Sequence, residues 1–514
     1  MIALNSLPVH NVNTGLNYTS IQGAIDAPET VAGNTILVDS GNYSEHLVIG
    51  KSVALVGAGR NTTAIDGGGG GAVVQVTAND VLIKGFEVEN GLLGILLDHS
   101  NNSAIVENSV NGVISSNAPY SVYVDYSHNC TIEQNIIGPN SANGLLVTNS
   151  ENFTISKNYA YDNSGYGLNV NDSMNGIIEW NAALNNMYDG IGLGMGSRNC
   201  TVMGNSVSGN QFWGIWLDSD SVDNLVYDND IIGINGLVSV NLPNRWDNGL
   251  EGNFWSNYSG PDLNRDGLID EPLVINDHNV DNHALAGEFS SFQAYSNLRV
   301  SVISNSSIAS LTYIEPNGTI MLELGSSTNQ GSGFCRVSIP HGLITGPYNV
   351  TIDNVAPSYV NDSLYDDGAS RWVYFNCPSS GREVSIQGVD KTIPNVSLLS
   401  PENKTYDTDK IQLVFSVDGS ISSMMYSLDD QTNTTIDGNT TISVANGTHY
   451  VVVYVKDLAG NAGSSNRVYF GVNVVGESPL VQWAVLVIVV GVVAAVALFV
   501  YFRKRRNRTP KAGR

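Results

Sequence analysis

A block of about 23 residues recurs through the first half of the chain. NCTIEQN at 129–135 returns as NFTISKN at 152–158 and as NCTVMGN at 199–205. The closing asparagines fall at Asn108, Asn135, Asn158, Asn181, Asn205 and Asn229, spaced 27, 23, 23, 24 and 24. A fixed period of this length marks a solenoid, whose units bury their apolar faces only against their neighbours. Each unit also carries a second short segment, beginning at 94, 121, 144, 167, 190 and 214, in which apolar residues alternate: Ile95 and Leu97, Val122 and Val124, Leu145 and Val147, Leu168 and Val170, Ile191 and Leu193, Ile215 and Leu217. Ile105, Ile132, Ile155, Ile178, Val202 and Val226 occupy the matching inward place in the first segment. Period two without a helical stretch predicts strands. The fold class is therefore all-β, a parallel β-helix in which each strand pairs with its counterpart one coil away.

That geometry assigns the asparagines. Those closing each motif recur at one point of the cross-section, so their amides stack about 4.8 Å apart and can bond along the axis as a ladder. Those opening it, Asn102, Asn129, Asn152, Asn175 and Asn199, sit at the turn before the strand, where asparagine tolerates left-handed backbone. About eighteen N-x-[ST] sequons suit an exported glycoprotein. Cys130 and Cys200 share a column three coils apart, too far for a bridge.

The segment 13–68 (NTGLNYTSIQGAID…NTTAIDGG) resembles the capping helix and first coils of the pectin-lyase-like right-handed β-helices, with Ile21, Ala24 and Ile25 placed to plug the barrel. The repeats, followed by NRWDNGLEGNFWSNYSGPDLNRDGLIDEP at 244–272, are similar to the NosD-like branch, also called carbohydrate-binding and sugar-hydrolase repeat proteins. The resemblance implies a right-handed β-helix over 1–290. It says little of function, because this fold carries lyases, hydrolases, esterases and binding proteins alike.

Three readings follow. Binding of extracellular polysaccharide or envelope glycan draws on the outward aromatics Tyr123, Tyr126, Tyr188, Trp213 and Trp216, joined by Tyr166 and Phe212, since exposed aromatic faces stack on sugar rings. Cleavage by a lyase or hydrolase would need paired acids, and Asp98 and Asp125 share a column on adjacent coils. That column continues through Thr148, Asn171 and Gly194 to Asp218, a composition that turns also favour. A copper-linked maturation role, which the NosD name implies, would need clustered His, Met or Cys. His99 and His128 occupy different columns.

DLNRDGLID places Asp262, Asn264, Asp266, Leu268 (through its carbonyl) and Asp270 at calcium-loop spacings, but position twelve is Leu273 rather than glutamate, so binding is expected to be weak. No nucleotide cofactor is expected. Beyond residue 290 the alternation and turn residues predict an antiparallel sandwich over 296–388, with Cys335 and Cys377 as a disulfide candidate in an oxidising compartment. A second sandwich is predicted over 390–474, resembling immunoglobulin-like surface modules through Asp457, Gly460 and Asn461.

Residues 480–502 lack any charge, and as a helix they would extend about 34 Å against a hydrocarbon core of about 30 Å. A basic tail, 503–514, follows and orients the predicted span with the tail in the cytoplasm and the N-terminal body outside. The start of the chain lacks the basic and apolar segments of an export leader, which is read as a leader missing from the sequence. The formal charge is -25 and the tail holds seven basic residues with no acid, so the remainder sums to -25 - 7 = -32. Such a body repels phosphate backbones and excludes nucleic acid as a partner. The sequence thus predicts a membrane-anchored surface protein that binds or organises glycan, with a surface lyase or hydrolase as the rival.

Overall fold

The structure, a computed structural model, describes residues 8–113, 120–140, 143–233, 242–315, 317–325, 332–378, 382–474 and 479–506, the side chains of 332, 378, 479–489 and 505–506 excepted. They form two compact units, residues up to 389 without 315–317 and the remainder.

The first unit opens with a parallel β-solenoid bounded by three sheets. The first sheet stacks nine parallel strands from Thr35–Val38 to Leu225–Tyr227, with Val9–Asn11 and Leu16–Tyr18 added antiparallel at its N-terminal end. The second runs from Gly41–Tyr43 to Phe254–Trp255, and the third from Leu47–Ile49 to Ile215–Leu217. Ile105 pairs with Ile132, Ile132 with Ile155 and Ile155 with Ile178, all fully buried. A one-residue slip would turn this whole column outward, which is how alternation in the sequence sets the register.

Each bend between sheets carries its own ladder. Between the first and second sheets, the backbone N–H of Asn108 donates to Asn135 Oδ1 (2.9 Å), and the pattern continues through Asn158, Asn181, Asn205, Asn229 and Asn253. Each Nδ2 donates back to a carbonyl of the preceding coil, as Asn158 does to Ile132 O at 2.8 Å. Asn140, Asn163, Asn186 and Asn210 do the same between the second and third sheets. Serine hydroxyls accept from the backbone between the third and first, from Ser100 through Ser127, Ser150 and Ser173 to Ser197. Buried chain turning without helix or sheet bonds must find such partners. The opening asparagines Asn102, Asn129, Asn152, Asn175 and Asn199 have φ between 53° and 57°, the left-handed turn their side chains tolerate.

A short helix, Ile21–Asp26, closes the N-terminal end. Ser20 caps it by accepting from Gly23 N, Glu45 accepts from Ile21 N and Gln22 N, and Ile21, Ala24 and Ile25 are buried. At the other end Trp246 and Trp255 fill the prism, their indole N–H groups donating to Asn279 Oδ1 (3.0 Å) and Asp281 Oδ2 (2.9 Å). The same unit continues into a sandwich of five- and four-stranded antiparallel sheets. It takes in the strand Glu288–Tyr295, paired with Leu298–Ser304, ahead of the predicted start at 296. Arg336, only 1% exposed, ties sandwich to solenoid: it pairs with Glu251, donates to Asp266 O at 3.1 Å and lies 4.0 Å from the Trp372 ring.

The second unit packs strands, antiparallel except where Thr405–Tyr406 runs parallel to Val468–Val472, around Val396, Leu413, Phe415, Val453 and Phe470. Asp457 accepts from both N–H groups of Asn461, with Gly460 at φ 94°, so the D-x-x-G-N element is a self-closed turn. A helix, Pro479–Arg506, follows. Among the described residues no helix is long and apolar enough to cross a membrane. The side chains of 480–489, the first part of the predicted span, and the tail from 507 lie outside those residues.

Candidate functional site

The outward face of the third sheet, together with the bends beside it, gathers the aromatic and acidic side chains singled out above. Register aligns Leu96, Tyr123, Leu146, Asn169, Gly192 and Trp216 in one column, and Asp98, Asp125, Thr148, Asn171 and Gly194 in the next. Gly192 and Gly194 leave their strand without outward side chains. A Cβ at Gly192 would lie 2.9 Å from Asn169 Oδ1, and one at Gly194 would lie 3.2 Å from Trp216 Cζ3. The indole of Trp216 therefore rests on glycine, with Asn169 and Asn171 on the far side of the gap. Asn169 is 4% exposed and its Oδ1 has no hydrogen-bond partner among the described residues.

Beside this sheet a further column holds Tyr120, Asn143, Tyr166, Asp189 and Trp213. Tyr188 stacks 5.2 Å from Phe212 at 7° and lies 5.4 Å from Tyr166. Tyr188 and Phe212 are each about half exposed (45% and 51%), so three successive coils bring a run of rings to the surface. Tyr126 is also exposed, its ring stacked on His99 at 5.0 Å, apart from the Tyr188 run. Tyr123 tilts against Tyr120 at 5.7 Å, and Trp213 is half-buried.

Asp98 and Asp125 stand in register, yet each has another partner. Asp98 Oδ1 lies 2.6 Å from His99 Nδ1, and Asp125 Oδ1 accepts from Asn149 at 3.0 Å. The acid with altered chemistry is Asp189, which the sequence reading passed over. It is 5% exposed, accepts from Trp213 N at 3.0 Å, and burial raises its pKa to about 6. A carboxyl that holds its proton in mildly acidic solution, beside rings, is closer to a proton donor than an ordinary aspartate. Its signal in the sequence was its place between Tyr166 and Trp213 in the column.

The Asp-rich turn folds on itself. Asp262 accepts from Asp266 N and Gly267 N, Asp266 from Leu268 N and Asn264 Nδ2, and Asp270 from Leu263 N. Burial raises the pKa of Asp262. Cys335 and Cys377 are buried in the first sandwich core with sulfurs 3.6 Å apart, as thiols.

Residues 50–260 match the sequence model of the family described as periplasmic copper-binding protein (NosD). A cell surface glycoprotein of Methanothermus fervidus is 34% identical over 115 residues, 22% of this chain and 19% of the relative. The matched stretch thus spans about a fifth of that protein. Similar solved structures include the A-module of a mannuronan C-5 epimerase of Azotobacter vinelandii (19% identity, 46% of this chain and 82% of that one, TM-score 0.32) and an alginate lyase of Paenibacillus sp. str. FPU-7 (15%, 44% and 91%, TM-score 0.28). Among the described residues no group of three or more His, Cys, Asp or Glu could hold a metal ion such as the copper named in the family description. His128 Nδ1 instead accepts from Glu151 N.

Proposed function

Taking residues 50–260 as a NosD-type domain, we propose that this chain is a cell-surface protein whose β-solenoid binds or organises extracellular glycan without cleaving it. The observation that carries this reading is the run Tyr166, Tyr188 and Phe212, with Trp216 on its glycine floor in the neighbouring column. Ring faces held by a rigid sheet suit sugar stacking because little side-chain entropy remains to be lost. The surface location is supported by the relative's description as a cell surface glycoprotein and by the abundance of sequons. Anchoring by a helix at 480–502 rests on its uncharged run and the basic residues after it. Weak calcium binding at Asp262, Asn264, Asp266, Leu268 and Asp270 rests on their spacing alone and requires the carboxylates to turn away from the backbone N–H groups they bond in this structure.

Glycan-array binding of the chain tests the main reading. Trp216→Ala and Tyr188→Ala should each abolish the signal, and unchanged binding in both removes it. One observation favours the rival, a surface hydrolase or lyase: the neutral-prone carboxyl of Asp189 under the rings. Release of reducing ends or unsaturated uronates from a polysaccharide panel, lost in Asp189→Asn, would establish cleavage instead.

A further inference from the structure

Cations are scarce in this solenoid. Ahead of residue 265 the chain has six, Lys51, Arg60, Lys84, Lys157, Arg198 and Arg245. Three of them, Arg60, Lys84 and Lys157, line one cleft of about 970 Å³ at the bend between the first and second sheets. They come from separate places in the chain: a loop at 57–62, the strand Leu82–Lys84, and the turn after Thr154–Ser156. Glu107 is the one acid among the described lining residues and Glu133 pairs with Lys157 from beside it, so the three cations and these two acids sum to 3 - 2 = +1 in a chain of -25.

The arrangement holds these charges apart and facing one space. The loop at 57–62 forms one wall and is strapped down by Arg60, whose Nη1 donates to Gln134 O at 2.7 Å, 74 positions away. Among the described residues only one of the five guanidinium N–H donors is used, which leaves the rest of the fork for a ligand. Lys84 is steadied by Glu107 at 3.0 Å and Lys157 by Glu133 at 2.8 Å. Both ammonium groups remain half-exposed, so these pairs fix direction more than they neutralise. Tyr159 adds an aromatic wall, 41% exposed and 4.8 Å from Tyr161. Cations around an aromatic face suit a ring that bears anionic groups. The volume lies at the upper end for ligand pockets, large enough for more than one sugar.

We propose that this cleft is a second binding site, separate from the third-sheet face, for an acidic oligosaccharide whose carboxylate or sulfate groups are taken by Arg60, Lys84 and Lys157. The acidic body discourages loose adhesion of polyanions, so affinity must come from these close contacts rather than from a long-range field.

Calorimetric titration of the full chain, in mild detergent, with a uronate, a sulfated and a neutral trisaccharide tests this. At least one acidic ligand should bind, and Arg60→Ala or Lys157→Met should each weaken it by about tenfold or more, as loss of a charge-assisted contact requires. Trp216→Ala should leave that affinity unchanged. Which acidic ligand binds distinguishes carboxylate from sulfate. If Arg60→Ala proves unstable, Arg60→Lys, which keeps charge but not the fork, and Lys157→Met carry the test. The proposal falls if neither acidic ligand binds, if the cleft variants bind as the parent does, or if the neutral ligand loses as much in them. Loss of neutral-glycan binding in Trp216→Ala bears on the sheet-face reading alone.

Discussion

Asn158→Ala removes one rung from the middle of the main ladder. Asn158 is 1% exposed, its Nδ2 donates to Ile132 O (2.8 Å) and Asn181 Oδ1 (3.0 Å), and its Oδ1 accepts from Asn135 N (3.0 Å) and Asn135 Nδ2 (2.9 Å). Asn181 Oδ1 keeps a donor, the backbone N–H of residue 158, and Asn135 Nδ2 keeps Ile105 O. The truncation therefore takes the partner from the buried N–H of Asn135 and from one of its side-chain hydrogens, while the Ile132 carbonyl loses one donor but keeps its ladder bond to the strand Thr154–Ser156. At about 1–3 kcal/mol for each of the two orphaned buried groups, the loss should be about 2–6 kcal/mol. Asn175→Gly, at an exposed turn with φ 57°, should change stability by less than about 1 kcal/mol. Urea unfolding followed by far-UV circular dichroism gives the totals, and hydrogen exchange at Asn135 N gives the local opening. Asn158→Asp sharpens the comparison, because a carboxylate accepts but cannot donate to Ile132 O. A loss below about 1 kcal/mol in Asn158→Ala, matching Asn175→Gly, would refute the reasoning that buried unpaired amides dominate here.

Burial raises Asp281 and Asp189 to a pKa of about 6, above the ordinary 3.8. The folded state then binds more protons between pH 3.8 and about 6, so stability is highest below that window and declines as pH rises through 6, by up to about 3 kcal/mol for Asp281. Melting temperature should rise on mild acidification from pH 7.5 to 5, and Asp281→Asn, which can still accept from Trp255, should flatten the profile; an unchanged profile counts against Asp281 as its source. Calcium at the turn 262–270 should raise the melting temperature over that in chelator, and coincident curves remove that proposal. With sulfurs 3.6 Å apart, Cys335 and Cys377 should close to a disulfide when the chain is exposed to oxidant, appearing as one linked peptide in a non-reducing digest; two freely alkylated thiols would exclude it.

The sequence by itself determined the solenoid, its period, the inward apolar columns and the asparagine ladder from Asn108 to Asn229. These are legible because alternation and spacing are local, and each coil repeats the same local instruction. Its aromatic residues were legible as a class, but not their grouping: Tyr188 stacks on Phe212, whereas Tyr126 stacks on His99. Tertiary structure alone decided the chemistry of single residues. Asp189 reads as one more turn acid until its column buries it between Tyr166 and Trp213. Arg60 reaches Gln134, and Arg336 reaches Glu251 85 positions back, only because distant segments are laid side by side. Burial and partner distance depend on how coils and sandwich pack, and a one-dimensional pattern carries the period of that packing but not its contacts.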